Sequence, residues 1–373
     1  MGVVHLGVQG CLLLIAGAVA LRQADRWWFS PHRAARQRAL TRRDLMDLQR
    51  QRANDITPVL LMAGHGAEIA GWWMLATAAG SAGWAAAALA MAVKFRHLQE
   101  VSHFAVHGVL TRSPHLGTLL AETCVHLPLG LGPVADRRRR HVREHHPNAT
   151  VTGVDPNLAD LEQAGLLPGT TRARYAAGIV FPLTPAGLAA TCRSIAANVR
   201  PAIHGWSRTA ALAAVLAAAL ILGGWPAGVF GLAVPRLLLY PQLAWMSLIV
   251  EHRWFDAAPP AGPGPVALEA GRCLRLYPSS PAMALLARGT WLPYGDLFHF
   301  AHSAHPAVRW NYLPALEKAL GMPAAAPPGL LLGGEAVITR HWRALGGGRA
   351  RGGVSDAAPG RERTAPSPTA SQV

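Results

Sequence analysis

His97-Leu-Gln-Glu-Val-Ser-His103-Phe-Ala-Val-His107 follows directly on a long apolar run. His103 and His107 stand four apart, so on a helix they project from one face, one turn from each other. Two further windows repeat the theme: His141-Val-Arg-Glu-His145-His146 and His299-Phe-Ala-His302-Ser-Ala-His305. The three windows hold nine of the seventeen histidines, and each lies near an apolar stretch long enough to enter a membrane. Neutral imidazole is the commonest protein ligand for transition metals, so histidines clustered at helical spacings point to a metal centre.

On α-helical geometry His141 and His145 share a face, while His146 turns about 100° aside. His299, His302 and His305 step by three and stay within an arc of about 120°. His252 directly follows the last apolar run and joins the set. The candidate ligands are therefore His103, His107, His141, His145, His146, His252, His299, His302 and His305. That is too many for one ion and fits two ions with a position left for oxygen or water.

The composition points to a membrane protein. Hydrophobic residues make up 51% of the 373 and charged residues only 15%, with a mean hydropathy of +0.20. The net charge of +15 is carried by loops that flank apolar segments, as the positive-inside rule requires. It forms no basic face interleaved with aromatics, which argues against nucleic-acid binding. Cys11, Cys124, Cys192 and Cys273 are scattered with no Cys-x-x-Cys pair, so no zinc, iron–sulfur or disulfide framework is expected. Electrons, if the protein uses them, must come from a partner.

Residues 1–21 carry no Lys, Arg, Asp or Glu and read as an uncleaved first span with an external N-terminus rather than a signal peptide, since no positive segment precedes them. Residues 22–55 hold nine Arg against four Asp, which places them in the cytoplasm, with Trp27 and Trp28 at the interface. Residues 56–96 have the length of two spans broken near Gly80–Gly83, and 207–250 the length of a second hairpin turning at Gly223-Gly224-Trp225-Pro226. Arg236, inside that last stretch, is costly in lipid and suggests a polar lining or a shifted boundary. The expected fold is all-α, about five transmembrane helices bearing a cytoplasmic helical cap. Its expected divisions are 1–55 (first span and basic segment), 56–320 (catalytic membrane domain), 321–343 (C-terminal extension) and 344–373 (disordered tail). This topology puts all three histidine windows and Glu251-His252 on the cytoplasmic side.

Other polar residues have plainer readings. His5, His32, His115, His204 and His341 are isolated and receive no role, and His97 ranks behind His103 and His107. His65 and Glu68 sit within an expected span as structural partners or as supports to the ligands, and His126 is similar. The run Arg137–Arg140 reads as a solvated or headgroup-facing loop. Glu100-Val-Ser-His103 is a single Glu-x-x-His, without the second pair that carboxylate-rich di-iron bundles use. No His-Glu-x-x-His is present for zinc hydrolysis.

Between about residues 90 and 320 these motifs resemble the integral-membrane fatty acid desaturase and hydroxylase superfamily. His103-Phe-Ala-Val-His107-Gly resembles its first histidine box. His141-Val-Arg-Glu-His145-His146, followed by a polar stretch to Asp155-Pro156, resembles the second. Glu251-His252 resembles the isolated histidine after the last membrane helix. His299-Phe-Ala-His302 with Pro306-Ala-Val-Arg-Trp-Asn-Tyr-Leu-Pro314 resembles the third. Ser303 stands where desaturases usually carry the second of two paired histidines, and His302-Ser-Ala-His305 is closer to the alkane hydroxylase branch.

The resemblance implies two non-haem iron ions, O2 as co-substrate, and a lipid or acyl-chain substrate. It also implies an external ferredoxin-, rubredoxin- or cytochrome-type donor. Desaturation of a fatty acyl chain is the leading expectation, with alkane or lipid hydroxylation at the same site as the alternative. A non-catalytic metal-binding or transport protein is the rival from another class. The location implied is the cell membrane, with the site facing the cytoplasm.

Overall fold

Every regular element is helical among the residues described in the computed structural model, which are 2–24, 27, 41–260, 262–276, 281–320 and 336–346. The one β pairing among them is an isolated antiparallel bridge between His252 and Cys273. Trp28, residues 321–335 of the expected extension and residues 347–373 of the expected tail lie outside the described residues.

Three long helices come first: α1 (Gly2–Arg22), α2 (Ala53–Ala78) and α3 (Gly80–Val106). Small residues let them approach closely. A Cβ on Gly64 of α2 would fall 2.9 Å from the carbonyl oxygen of Ala18 in α1, a backbone-to-backbone contact of the kind small residues permit between apolar helices. The ionisable groups of this bundle neutralise one another, because buried Glu68 forms ion pairs with Arg22 Nε at 2.7 Å and with Lys94 Nζ at 2.9 Å.

After α3 come a short helix α4 (Val134–Arg138), which continues as a π-helix over Arg139–His145, and α5 (Pro156–Gln163). Next are α6 (Pro185–Asn198), α7 (Trp206–Gly228) and α8 (Tyr240–Glu251), the last two joined through π-helical turns. Among the described residues the Trp206–Glu251 run is the one helix long and apolar enough to cross a membrane; its most apolar window has mean hydropathy 2.0 and is only 28% buried. The helices α2 and α3 are as long as a span needs but interrupt their apolar residues with His65, Glu68 and Lys94.

The Trp206–Glu251 run is not straight. Gly223 and Gly224 leave helical geometry, and Gly224 takes φ 58°, a left-handed conformation that glycine adopts without penalty. A Cβ on Gly228 would lie 3.9 Å from the Leu216 side chain, yet twelve residues of unbroken helix would separate them by about 18 Å. The chain therefore doubles back at the expected turn. Gly223 also lies so close to the Trp73 carbonyl of α2 that a Cβ there would overlap it. On the outside of this hairpin Ile221 is 82% exposed and Leu216, Leu220, Leu222 and Trp225 are also exposed.

Two clusters of buried apolar side chains support the cap. One gathers Phe95, Val101, Phe104 and Ala105 of α3 with Trp310, Tyr312 and Leu313. The other gathers Leu158 and Leu161 of α5 with Trp245, Ile249, Trp254 and Leu297. The histidine windows meet where these clusters adjoin.

Candidate metal centre

The last turns of α3 carry the first window, with His103 inside the helix and His107 as its C-terminal cap. Their Nε2 atoms lie 3.0 Å apart. The second window does not follow α-helical geometry. Arg139–His145 is a π-helix, and the His146 N–H donates to the His141 carbonyl five residues back. The wider turn brings the His146 ring edge-on to His141 at 4.6 Å while His145 stays stacked on it at 5.3 Å, and π segments of this sort often accompany functional sites. His141 Nε2 is accordingly 3.1 Å from His146 Nε2 and 2.7 Å from His103 Nε2. The expectation that His146 turns aside is corrected: its Nε2 meets that of His141, while the His145 ring lies between His141 and His252. His302, on α10 (His299–Ala304), completes this first group with its ring 4.6 Å from that of His107 and 4.7 Å from that of His103.

A second group lies beside the first. His252 Nε2 is 3.1 Å from His299 Nε2, and the His145 ring is 5.1 Å from that of His252. The groups adjoin through His141–His145 and His299–His302, whose ring centres are 5.3 and 5.8 Å apart. His305 stands apart. It caps the end of α10, with its N–H donating to the Ala301 and His302 carbonyls, and is partly exposed; its ring makes no hydrogen bond or ring contact with the other eight.

These residues suit metal ions. Two nitrogens each about 2.1 Å from one ion, at 90–110° to each other, lie roughly 3.0–3.4 Å apart, and the closest nitrogen pairs here are at 2.7–3.1 Å. Both ring nitrogens of His302 and Nε2 of His145 are buried with no hydrogen-bond partner, an arrangement that costs about 1–3 kcal/mol per group unless something else satisfies them. Burial, reinforced by neighbouring imidazoles, pushes His107, His141, His252, His299 and His302 well below the ordinary histidine range. They are therefore neutral, with lone pairs free for a cation. His103 with His107, His141 and His302, and His252 with His299 and Cys273, each bring donor atoms within 4.8 Å of one another.

Outer partners hold several rings. Glu100 Oε1 lies 3.1 Å from His103 Nδ1, and Asp155 Oδ1 lies 2.9 Å from His145 Nδ1. Hydrogen bonds of this kind fix the tautomer and orientation of a metal-binding imidazole. Arg96 fixes Glu100 in turn, donating to it at 3.0 Å, to Asp296 at 2.5 Å and to Ser247 at 2.9 Å. The sequence reading missed Arg96, Glu269 and Cys273 and saw Asp155 only as part of a motif. Asp155-Pro156 is also a helix-start signal, and Asp155 caps α5 by accepting from the Asn157 N–H.

The remaining polar residues have structural partners. His65 Nε2 is 2.7 Å from the Tyr294 hydroxyl, and His97 Nε2 is 3.0 Å from the Gly289 carbonyl. His126 lies between the Gly132 carbonyl and Ser102. Arg236 Nε donates to the Leu129 carbonyl at 2.6 Å. The basic run Arg137–Arg140 is helical, and only Arg139 of its four side chains is exposed. Arg138 donates to the Ala105 and Val106 carbonyls at the end of α3, Arg137 to Ser102, and Arg140 to Asp160. Basic side chains satisfy the orphan carbonyls of a helix C-terminus, so this run ties the second window to the first. A cavity of about 100 Å3 opens onto His103 and His141, with Glu100, Arg137, Asp160 and Glu251 also in its walls.

No curated protein and no solved structure matches the chain. The family model described as fatty acid desaturase matches residues 80–330, well over half of the 373 residues and enclosing every histidine of both groups. The chain belongs to the fatty acid desaturase family of oxidoreductases.

Proposed function

We propose that the protein is a membrane-bound, di-iron enzyme that uses O2 to place a double bond in the acyl chain of a lipid, with electrons from an external ferredoxin-, rubredoxin- or cytochrome-type donor. The observation that carries this reading is the pair of adjoining imidazole groups, buried or half-buried, with nitrogens at the separation of neighbouring ligands on an ion. His103, His107, His141, His146 and His302 hold one ion; His145, His252 and His299 hold the other. His305, also a candidate by spacing, sits outside both.

An iron pair held by these imidazoles would, with O2, supply the oxidising power needed to remove hydrogen from an unactivated C–H bond. The balance is one CH2–CH2 unit, O2, two electrons and two protons giving one CH=CH unit and two waters. The chain itself fixes the tautomers of His103 and His145 through Glu100 and Asp155, and shields the centre between two apolar clusters. The helices α1, α2 and α3 and the hairpin of α7 and α8 form five spans, with the basic segment after α1 and the histidine cap on the cytoplasmic side. Residues 56–320 form the catalytic domain. The exposed leucines and isoleucine of the hairpin face lipid.

Transport is the weaker reading because the deep ionisable groups are already committed: Glu68 to Arg22 and Lys94, and Arg236 to a backbone carbonyl. The test is expression in membranes with a reductase system and labelled acyl lipids, followed by mass spectrometry and metal analysis. Two irons per chain and loss of two hydrogens support the proposal. Gain of one oxygen assigns hydroxylation instead, and zinc or no metal refutes the di-iron reading.

A further inference from the structure

Cys273 and Ser303 found no role in the histidine pattern, yet the fold brings both to the second imidazole group. The helix α9 (Pro265–Arg272) ends at Cys273, whose N–H donates to the Glu269 carbonyl at 2.8 Å. From there residues 272–274 run antiparallel to 251–253, with Arg253 N–H donating to the Arg272 carbonyl at 2.6 Å and Leu274 N–H to the Glu251 carbonyl at 3.2 Å. This register sets Cys273 Sγ 3.4 Å from His252 Nδ1. The thiol also lies 3.3 Å from Glu269 Oε2, to which Ser303 donates at 3.0 Å. His252, Cys273, Glu269 and Ser303 are all buried.

Donor and acceptor accounting gives this chain a direction. A carboxylate only accepts, so Ser303 O–H and Cys273 S–H both donate to Glu269. The thiol proton is thereby committed, and Sγ offers a lone pair to His252. The Nδ1 of His252 must then carry the proton, which leaves the Nε2 lone pair facing His299 Nε2 at 3.1 Å. His103 and His145 achieve the same result with carboxylates. A thiol is a weaker acceptor than a carboxylate, so it withdraws less of the Nδ1 proton and leaves His252 a weaker donor to metal.

We propose that Cys273, held by Glu269 and Ser303, is a positioning residue that fixes the His252 tautomer and makes the ion on His252 and His299 the more weakly held and more easily reduced of the two. This rests on the di-iron reading above. Ser303, which stands in place of a paired histidine, then anchors this relay instead of binding metal.

The test compares wild type with Cys273→Ala, Cys273→Ser and Glu269→Gln by iron stoichiometry under chelator competition and by Mössbauer spectroscopy of 57Fe-loaded protein. Wild type should show two inequivalent iron sites, one released first. Cys273→Ala should release that site about 10–100-fold more readily, the usual cost of losing an outer partner, and change only its spectrum. Cys273→Ser, which keeps a donor and acceptor, should restore binding, and Glu269→Gln should fall between. Wild-type spectra and release in Cys273→Ala, with two irons bound, overturn the relay and leave the di-iron reading intact. Loss of both irons alike in Cys273→Ala and Cys273→Ser also overturns it, since that marks a structural role. A wild type without iron overturns both readings.

Discussion

Replacing Asp155 by Asn changes little volume but removes the charge that holds His145. Asp155 is 1% exposed and accepts three hydrogen bonds, each at 2.9 Å: from His145 Nδ1 and the Asn157 N–H on Oδ1, and from the Thr150 N–H on Oδ2. Asparagine has one oxygen and one NH2 in place of two acceptors. Its less costly orientation keeps oxygen toward His145 and Asn157 and turns NH2 against the Thr150 N–H. That strands a buried donor, at about 1–3 kcal/mol, and weakens the charge-assisted bond to His145 by about another 1 kcal/mol.

Thr150 adds to the effect. It is a β-branched residue at φ 68°, a conformation costing about 1–2 kcal/mol that the bond to Asp155 helps to hold. Total destabilisation should be about 2–4 kcal/mol, with iron bound about 10–100-fold more weakly at the His145 side, or about 1.4–2.7 kcal/mol. Thermal melting and chelator competition on purified protein measure the two quantities separately. Iron release within twofold of wild type, alongside the expected loss of stability, would refute the view that Asp155 orients a ligand.

Three other outcomes follow from the structure. His302→Ala should lower iron content to about one per chain, whereas His305→Ala should leave it unchanged; the reverse order in metal analysis would move His305 into the site. Glu68→Gln leaves Arg22 and Lys94 buried without a counter-charge, so a loss of about 3–5 kcal/mol is expected, read as a lower melting temperature in detergent with little change in the iron spectrum. Acid should destabilise the metal-free protein steeply. Burial lowers the site histidines below their ordinary 6.5, so as pH falls past that value the unfolded chain takes up protons that the folded one refuses. Stability is full above it and lost below it, by up to about 1.4 kcal/mol per pH unit for each histidine. A melting temperature that stays flat from pH 7 to about 5 would contradict this sign.

Much of the protein is legible one residue at a time. Apolar runs, their charged flanks and the glycines at 223–224 announce helices and a turn because lipid-length helices and tight reversals impose local composition. The four-residue spacing of His103 and His107 announces a shared face for the same local reason. Eight of the nine candidate histidines lie in the two adjoining groups, and His305 stands outside them. The partition of those eight was not legible. It turns on a π-helix at Arg139–His145 that brings His146 Nε2 within 3.1 Å of His141 Nε2, and on a bridge between His252 and Cys273. Both are set by packing against distant segments rather than by any nearby sequence pattern. The Arg137–Arg140 run misleads for a related reason, because a basic stretch reads as solvated until the carbonyls it caps, at the end of α3, are brought beside it. Spacing along a chain names residues able to share a face; their sorting into two groups depends on packing and hydrogen-bond partners that arrive only when the chain closes on itself.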